Sequence, residues 1–232
     1  MTEDRQPALP QRLGAELIGT AFLLIAVVGS GIAAQRLSST DLGLELLENS
    51  IATGLGLALI ILTFGPISGA HLNPVVTLTA VLRGRMPWSL AFPYVSIQVA
   101  GALVGTVVAN LMFGLPATTI STHLRDGPAI WLAELVATFG LIVVVYLIGD
   151  RQQLGVTAAA VGAYIAAAYW FTSSTSFANP AVTVARMFSD TFAGIAPTSA
   201  PAFVLAQLLG TAVAVALLRF LATERSSAQP GT

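Results

Sequence analysis

Apolar and polar positions separate along this chain into long runs and short breaks. Apolar runs fall at about 12–34, 46–65, 89–113, 129–149, 154–172 and 201–221. Each is close to the roughly 20 residues that a helix needs to cross a bilayer. Polar breaks predict loops at 35–45, 114–128 and 189–200, and a tight turn at Gly149-Asp150-Arg151. Asp41, Glu45 and Glu48 mark the first loop, and His123, Arg125, Asp126 and Pro128 the second. Two further apolar segments, about 74–83 and 180–188, are too short to span, and each opens on an Asn-Pro pair. Asn caps a helix start and Pro is tolerated at its first position. Helices that begin at membrane depth leave irregular backbone there, which survives only where it lines a cavity or is buried in protein. The pattern therefore predicts six spanning helices and two re-entrant half-helices around a pore.

The halves of the chain repeat each other. SGAHLNPVVTL at 68–78 matches TSFANPAVTVAR at 175–186, AELIGTAFLL at 15–24 matches AELVATFGLI at 133–142, and IQVAGALVGT at 97–106 matches LAQLLGTAVA at 205–214. Each half reads as a helix with an early Glu, a second helix, an Asn-Pro half-helix, and a helix bearing a Gln and small residues. Three spans per half is an odd number, so the second half is inverted relative to the first, as in known transport architectures. The expected organisation is one channel domain over 1–232. Repeat one covers 12–113, repeat two covers 129–221, and short polar tails occupy 1–11 and 222–232.

Composition agrees with a polytopic membrane protein: 55% of residues are hydrophobic and 9% charged, against about 25% charged in soluble domains. A net charge of −1 argues against a nucleic-acid partner, and the absence of Cys removes disulfides and thiolate metal sites. The first ten residues lack the order of a signal peptide. All ten basic residues are Arg. With both termini cytoplasmic, Arg5, Arg12, Arg83, Arg85, Arg151, Arg219 and Arg225 lie inside, and Arg36, Arg125 and Arg186 outside, which satisfies the positive-inside rule.

Paired Asn-Pro motifs in an inverted three-plus-three repeat resemble the major intrinsic protein family, the aquaporins and aquaglyceroporins, over about residues 12–221. The resemblance implies an all-α membrane fold and a passive pore in each subunit of a homotetramer. It implies no cofactor, no metal and no covalent step. The pore motifs fall on Asn73, Pro74 and Val75, and on Asn179, Pro180 and Ala181, with Val75 where the family usually has Ala. The half-helix ends would oppose cations at the pore centre. Each Asn would hold backbone with its side-chain oxygen and turn an N–H toward a passing solute.

In most relatives Arg follows the second motif and forms part of a selectivity filter; here Val182 stands there. Counting from the motifs places the second-helix filter position at Thr53. The fifth-helix position falls at Ala167 or Tyr169, and the loop position at Ser176 or Phe177. A filter without Arg is wide and mostly apolar, suited to uncharged solutes larger than water. NPAVTVARMFSDTFAGIAP at 179–197 resembles a bacterial subgroup associated with arsenic resistance, which implies passage of arsenite or methylated arsenicals beside glycerol-like polyols, urea and water. The expected location is the bacterial inner membrane.

Several polar residues fall inside the apolar runs. Glu16 and Glu134 sit at equivalent repeat positions, where an unshielded charge costs about 2.5–3.5 kcal/mol or more. Their symmetry suggests that each braces an Asn-Pro loop; the competing reading is a proton-coupled transporter. His71 is a loop strut or a pore-lining group rather than a metal ligand. Arg186 supplies a vestibule charge or, beside Asp190, an interfacial anchor. A water-selective pore is the rival within the same fold.

Overall fold

The computed structural model of the chain describes residues 7–227. The parts of the expected tails at 1–6 and 228–232, with Arg5, lie outside the described residues, as does the Arg225 side chain. Among the described residues eight α-helices follow in order: α1 (Leu9–Leu37), α2 (Leu42–Ser68), α3 (Pro74–Leu82), α4 (Ala91–Met112), α5 (Pro128–Gly149), α6 (Leu154–Phe171), α7 (Pro180–Arg186) and α8 (Ala200–Ser227). A 3₁₀ turn at Trp88–Leu90 leads into α4, and no strand occurs among the described residues. Six of the helices are long and apolar enough to cross a membrane; α3 and α7 are the short pair.

Several helices run past their apolar segments, because a spanning helix continues into the interface while its backbone bonds hold. α1 begins at Leu9 and α8 continues to Ser227, so residues 222–227 of the expected tail are helical. α2 starts at Leu42 because the Asp41 side chain accepts from the Leu44 N–H at 3.0 Å. The first loop is thereby shorter than the polar stretch 35–45 suggests.

Packing follows the repeat. α1 packs on α2 and α4, and α5 packs in the same way on α6 and α8. The halves join through α2 against α6, through α3 against α7, and through the reciprocal pairs α4 with α7 and α8 with α3. Small residues allow these approaches. A Cβ on Gly101 or Gly105 of α4 would lie 2.4 Å from the Leu17 carbonyl oxygen or 2.2 Å from that of Ala21, both on α1. A Cβ on Gly162 of α6 would lie 2.4 Å from the carbonyl oxygen of Gly54 on α2. The result is an inverted three-plus-three repeat with the two half-helices meeting inside it.

Candidate permeation pore

Each half-helix starts from a buried Asn in extended conformation. The Asn73 Oδ1 accepts from the Val75 N–H at 3.0 Å, and the Asn179 Oδ1 accepts from the N–H groups of Ala181 and Val182 at 3.0 and 3.3 Å. Pro74 and Pro180 occupy the first helical position. Both Asn amides also reach across the repeat interface. Asn73 Nδ2 donates to the Ala178 carbonyl and Asn179 Nδ2 to the Leu72 carbonyl, each at 2.8 Å. An amide NH₂ has two hydrogens, so one of each is committed to the opposite loop and one is left over. Both Asn residues line the central cavity.

The loops entering the half-helices are strained. Ala70 and Leu72 have φ of 44° and 53°, and Thr175, Ser176 and Ala178 have φ of 62°, 50° and 47°. Such left-handed non-glycine residues cost roughly 1–3 kcal/mol each and persist only where their surroundings fix them. Two buried carboxylates do this. Glu16 Oε1 accepts from Ser68 Oγ (2.7 Å) and the His71 N–H (2.9 Å), while Oε2 accepts from the Leu72 N–H (2.7 Å) and Gln98 Nε2 (2.8 Å). Glu134 Oε1 accepts from the Phe177 N–H (2.8 Å), and Oε2 from the Ala178 N–H (3.0 Å) and Gln207 Nε2 (2.7 Å). Gln98 and Gln207 also donate to Thr77 and Thr183 on the half-helices. His71 packs against Tyr94 with ring centroids 5.5 Å apart, its Nδ1 lies 3.1 Å from Thr77 Oγ1, and it lines the cavity.

The cavity has a volume of about 410 Å³ and runs between the two ends of the bundle. At one end, formed by the loop after α3 and the α5–α6 turn, Asp150 accepts from Arg83 at 3.1 Å and from Arg85. Both guanidiniums lie over the Tyr146 ring, at 5.0 and 5.5 Å from its centroid. The midsection is aliphatic, with Leu23, Leu57, Leu141 and Val161 in the wall. Toward the other end, formed by 113–127 and 187–199, the wall comprises Thr53, Tyr169, Ser176, Phe177, Val182 and Arg186. Tyr169 Oη donates to Thr53 Oγ1 at 3.3 Å, so these two stand at one level. The Ser176 hydroxyl is buried without a protein partner. Of the two fifth-helix candidates, Tyr169 faces the cavity, whereas Ala167 is exposed on the outside of α6.

The expectation of Arg186 as an interfacial anchor is corrected. It is 2% exposed, so it does not reach the membrane surface. Its Nε donates to the Ala193 carbonyl, and its guanidinium lies 3.4 Å from the Phe177 centroid. Asp190 instead accepts from the Thr122 N–H and hydroxyl, at 2.8 and 3.0 Å. Arg125, not singled out as a site residue from its polar stretch, packs on the same ring at 5.1 Å. It donates from Nε to the Gly194 carbonyl (2.9 Å) and from Nη2 to that of Phe192 (3.0 Å). Burial pushes its pKa down to about 10, which leaves it charged at neutral pH. His123, nearby on the same loop, has its pKa lowered by burial and then by Arg125 and Arg186. Among the described residues no cluster of His, Cys, Asp or Glu is arranged to hold a metal.

A solvent-sized passage walled by two Asn-capped half-helices, inside six spanning helices, is the arrangement of a membrane channel. The sequence profile of the Major intrinsic protein family matches residues 3–176 and 149–231. The chain is 51% identical to aquaglyceroporin AqpS of Rhizobium meliloti (strain 1021), over 92% of this chain and 91% of that protein. It is 30% identical to a glycerol uptake facilitator protein of Streptococcus pneumoniae, over 66% of this chain and 71% of that one. The aquaglyceroporin structure from Plasmodium falciparum shares the fold, with a TM-score of 0.69 at 21% identity, covering 90% of this chain and 94% of that chain. The chain belongs to the major intrinsic protein family. It is an integral membrane channel rather than an enzyme.

Proposed function

We propose that the chain is a passive channel for small uncharged hydroxyl-bearing solutes, glycerol-like polyols first, with water and the neutral triol arsenite following the same path. The observation that carries this reading is Val182 in the wall of the cavity that Thr53 and Tyr169 also line, at the position where a guanidinium would narrow the passage. Thr53, Tyr169, Val182, Ser176 and Phe177 form the selective aperture in this reading, and Ala167, exposed on the outside, takes no part. The aperture offers the Thr53–Tyr169 hydroxyl pair and the free Ser176 hydroxyl for solute oxygens, and apolar faces of Val182 and Phe177 for the carbon skeleton. The leftover N–H groups of Asn73 and Asn179 serve the next oxygens inward. The relatives named as an aquaglyceroporin and a glycerol facilitator support the solute class.

Each subunit of a homotetramer would carry its own pore in a bacterial inner membrane. The end bearing Arg12, Arg83, Arg85, Arg151 and Arg219 would face the cytoplasm, with Arg36, Arg125 and Arg186 at the outer end. Swelling of proteoliposomes in an inward glycerol gradient tests the reading. Swelling well above that of empty liposomes, with no dependence on a proton gradient, is expected. Water flow without glycerol uptake would overturn it in favour of a water channel.

A further inference from the structure

Arg186 is a buried cation that the protein does not neutralise. Among the described residues its guanidinium forms no ion pair: the pairs present join Arg83 and Arg85 to Asp150 at the opposite end. Glu134, the carboxylate whose charge acts on it, is already filled by three donors on the Phe177 loop and α8. A second buried guanidinium, Arg125, shares the same aromatic ring and adds like charge. An uncompensated buried charge is costly, by several kcal/mol even after relaxation, so a helix end that needed only packing or a dipole partner would not require one placed here.

The geometry shows where the charge is directed. Of the five N–H donors of a guanidinium, Nε is taken by the Ala193 carbonyl. Among the described residues no acceptor receives the terminal amino groups, and Arg186 lines the cavity beside Ser176, Tyr169 and Val182. The backing is firm. Arg125 grips the carbonyls of Phe192 and Gly194 on either side of Ala193, and the Ile195 N–H bonds the Arg186 carbonyl. Arg186 lies four residues, about one helical turn, beyond Val182 on α7. It therefore meets a solute just before the aperture while leaving the aperture itself wide.

We propose that Arg186 is the charge-selecting residue of this channel. Its guanidinium repels small cations at the outer mouth and offers N–H donors to the oxygens of a neutral solute that passes beside it. Cation rejection and aperture width are then set by different residues, Arg186 and Val182. The inference rests on the neutral-solute reading, and Arg125 acts as a positioning residue behind the 192–194 segment.

The test measures glycerol, water and methylammonium uptake in one set of proteoliposomes. Wild type is expected to pass glycerol and hold methylammonium at the empty-liposome rate. Arg186→Gln should raise methylammonium flux relative to glycerol or water flux on the order of 100-fold, the effect of a unit charge several ångströms from the path at an effective dielectric constant near 20. Arg186→Lys, which keeps the charge, should still exclude methylammonium. Where Arg186→Gln does not fold, Ser176→Asp puts a carboxylate in the same wall at a left-handed position that Asp tolerates, and it should admit methylammonium likewise. A folded Arg186→Gln or Ser176→Asp channel that conducts glycerol or water and still excludes methylammonium overturns the proposal. Wild type that passes water but no glycerol overturns the neutral-solute reading instead, and water flow then serves as the conduction control for the methylammonium comparison.

Discussion

Replacing Glu134 by Gln separates a structural brace from a proton carrier. Three donors converge on this carboxylate: the Phe177 N–H, the Ala178 N–H and Gln207 Nε2. An amide keeps one acceptor oxygen. Whichever way it turns, its NH₂ faces a backbone N–H of the strained loop. One buried donor is stranded, at about 1–3 kcal/mol, and the remaining bonds fall from charge-assisted to neutral strength, at about 1 kcal/mol each. The sum is about 3–5 kcal/mol, a large share of the 5–15 kcal/mol typical of a folded domain. In SDS titration from mixed micelles, Glu134→Gln should unfold well before wild type. Glu16→Gln should lose at least as much, since Glu16 accepts four bonds rather than three. Glycerol uptake per folded Glu134→Gln channel should not depend on a proton gradient. A variant within about 0.5 kcal/mol of wild type, the range of an ordinary surface change, would refute the bracing argument. So would a wild-type glycerol flux that collapses with the proton gradient and is uncoupled by this substitution.

Other perturbations probe the rest of the molecule. Gly105→Leu forces side-chain atoms into the Ala21 carbonyl on α1, where even a Cβ would lie 2.2 Å away; gel filtration in detergent should recover aggregate rather than folded channel. Asp150→Asn removes the negative charge that pairs with Arg83 and Arg85, whose side chains are 17% and 47% exposed. The stability loss should stay near 1 kcal/mol or less by the same titration, as for other accessible ion pairs. His123 has a folded pKa below its unfolded value, so the unfolded state takes up the proton first as pH falls. Stability at the loop end should therefore decline as pH drops below about 6.5, and His123→Gln should flatten that slope in melting curves recorded from pH 7.5 to 5.

The half-helices are legible in the chain because Asn-Pro combines a cap with a residue confined to the first helical turn, and because it occurs twice in matched apolar settings. Glu16 and Glu134 are legible through the repeat: two equivalent loops with unmet backbone N–H groups need equivalent acceptors. The register of the fifth spanning helix is not legible in the same way. Counting back from Asn179 crosses the irregular loop 172–178, whose left-handed residues at 175, 176 and 178 change the length covered per residue, and so leaves Ala167 and Tyr169 open. Only the packing of α6 turns Tyr169 toward Thr53. Arg186 misleads because Asp190 lies one turn away in sequence. The chain leaves the helix after Arg186, and Asp190 turns back to Thr122 instead. Arg125 sits in a short polar run that reads as solvated loop. Its burial against Phe177 depends on the 192–194 segment, distant in sequence, and no local pattern announces it.

The central claim is that Val182, by leaving the aperture open, sets the solute class. The direct measurement is stopped-flow light scattering on proteoliposomes of wild type and Val182→Arg, comparing water and glycerol permeability, with arsenite uptake assayed on the same samples. The account predicts that wild type passes glycerol and arsenite, and that Val182→Arg depresses both by tenfold or more, on the order of 1.4 kcal/mol, while water flow falls much less. Equal loss of water and glycerol, or glycerol flux untouched by the guanidinium, would contradict it and move the aperture away from Val182.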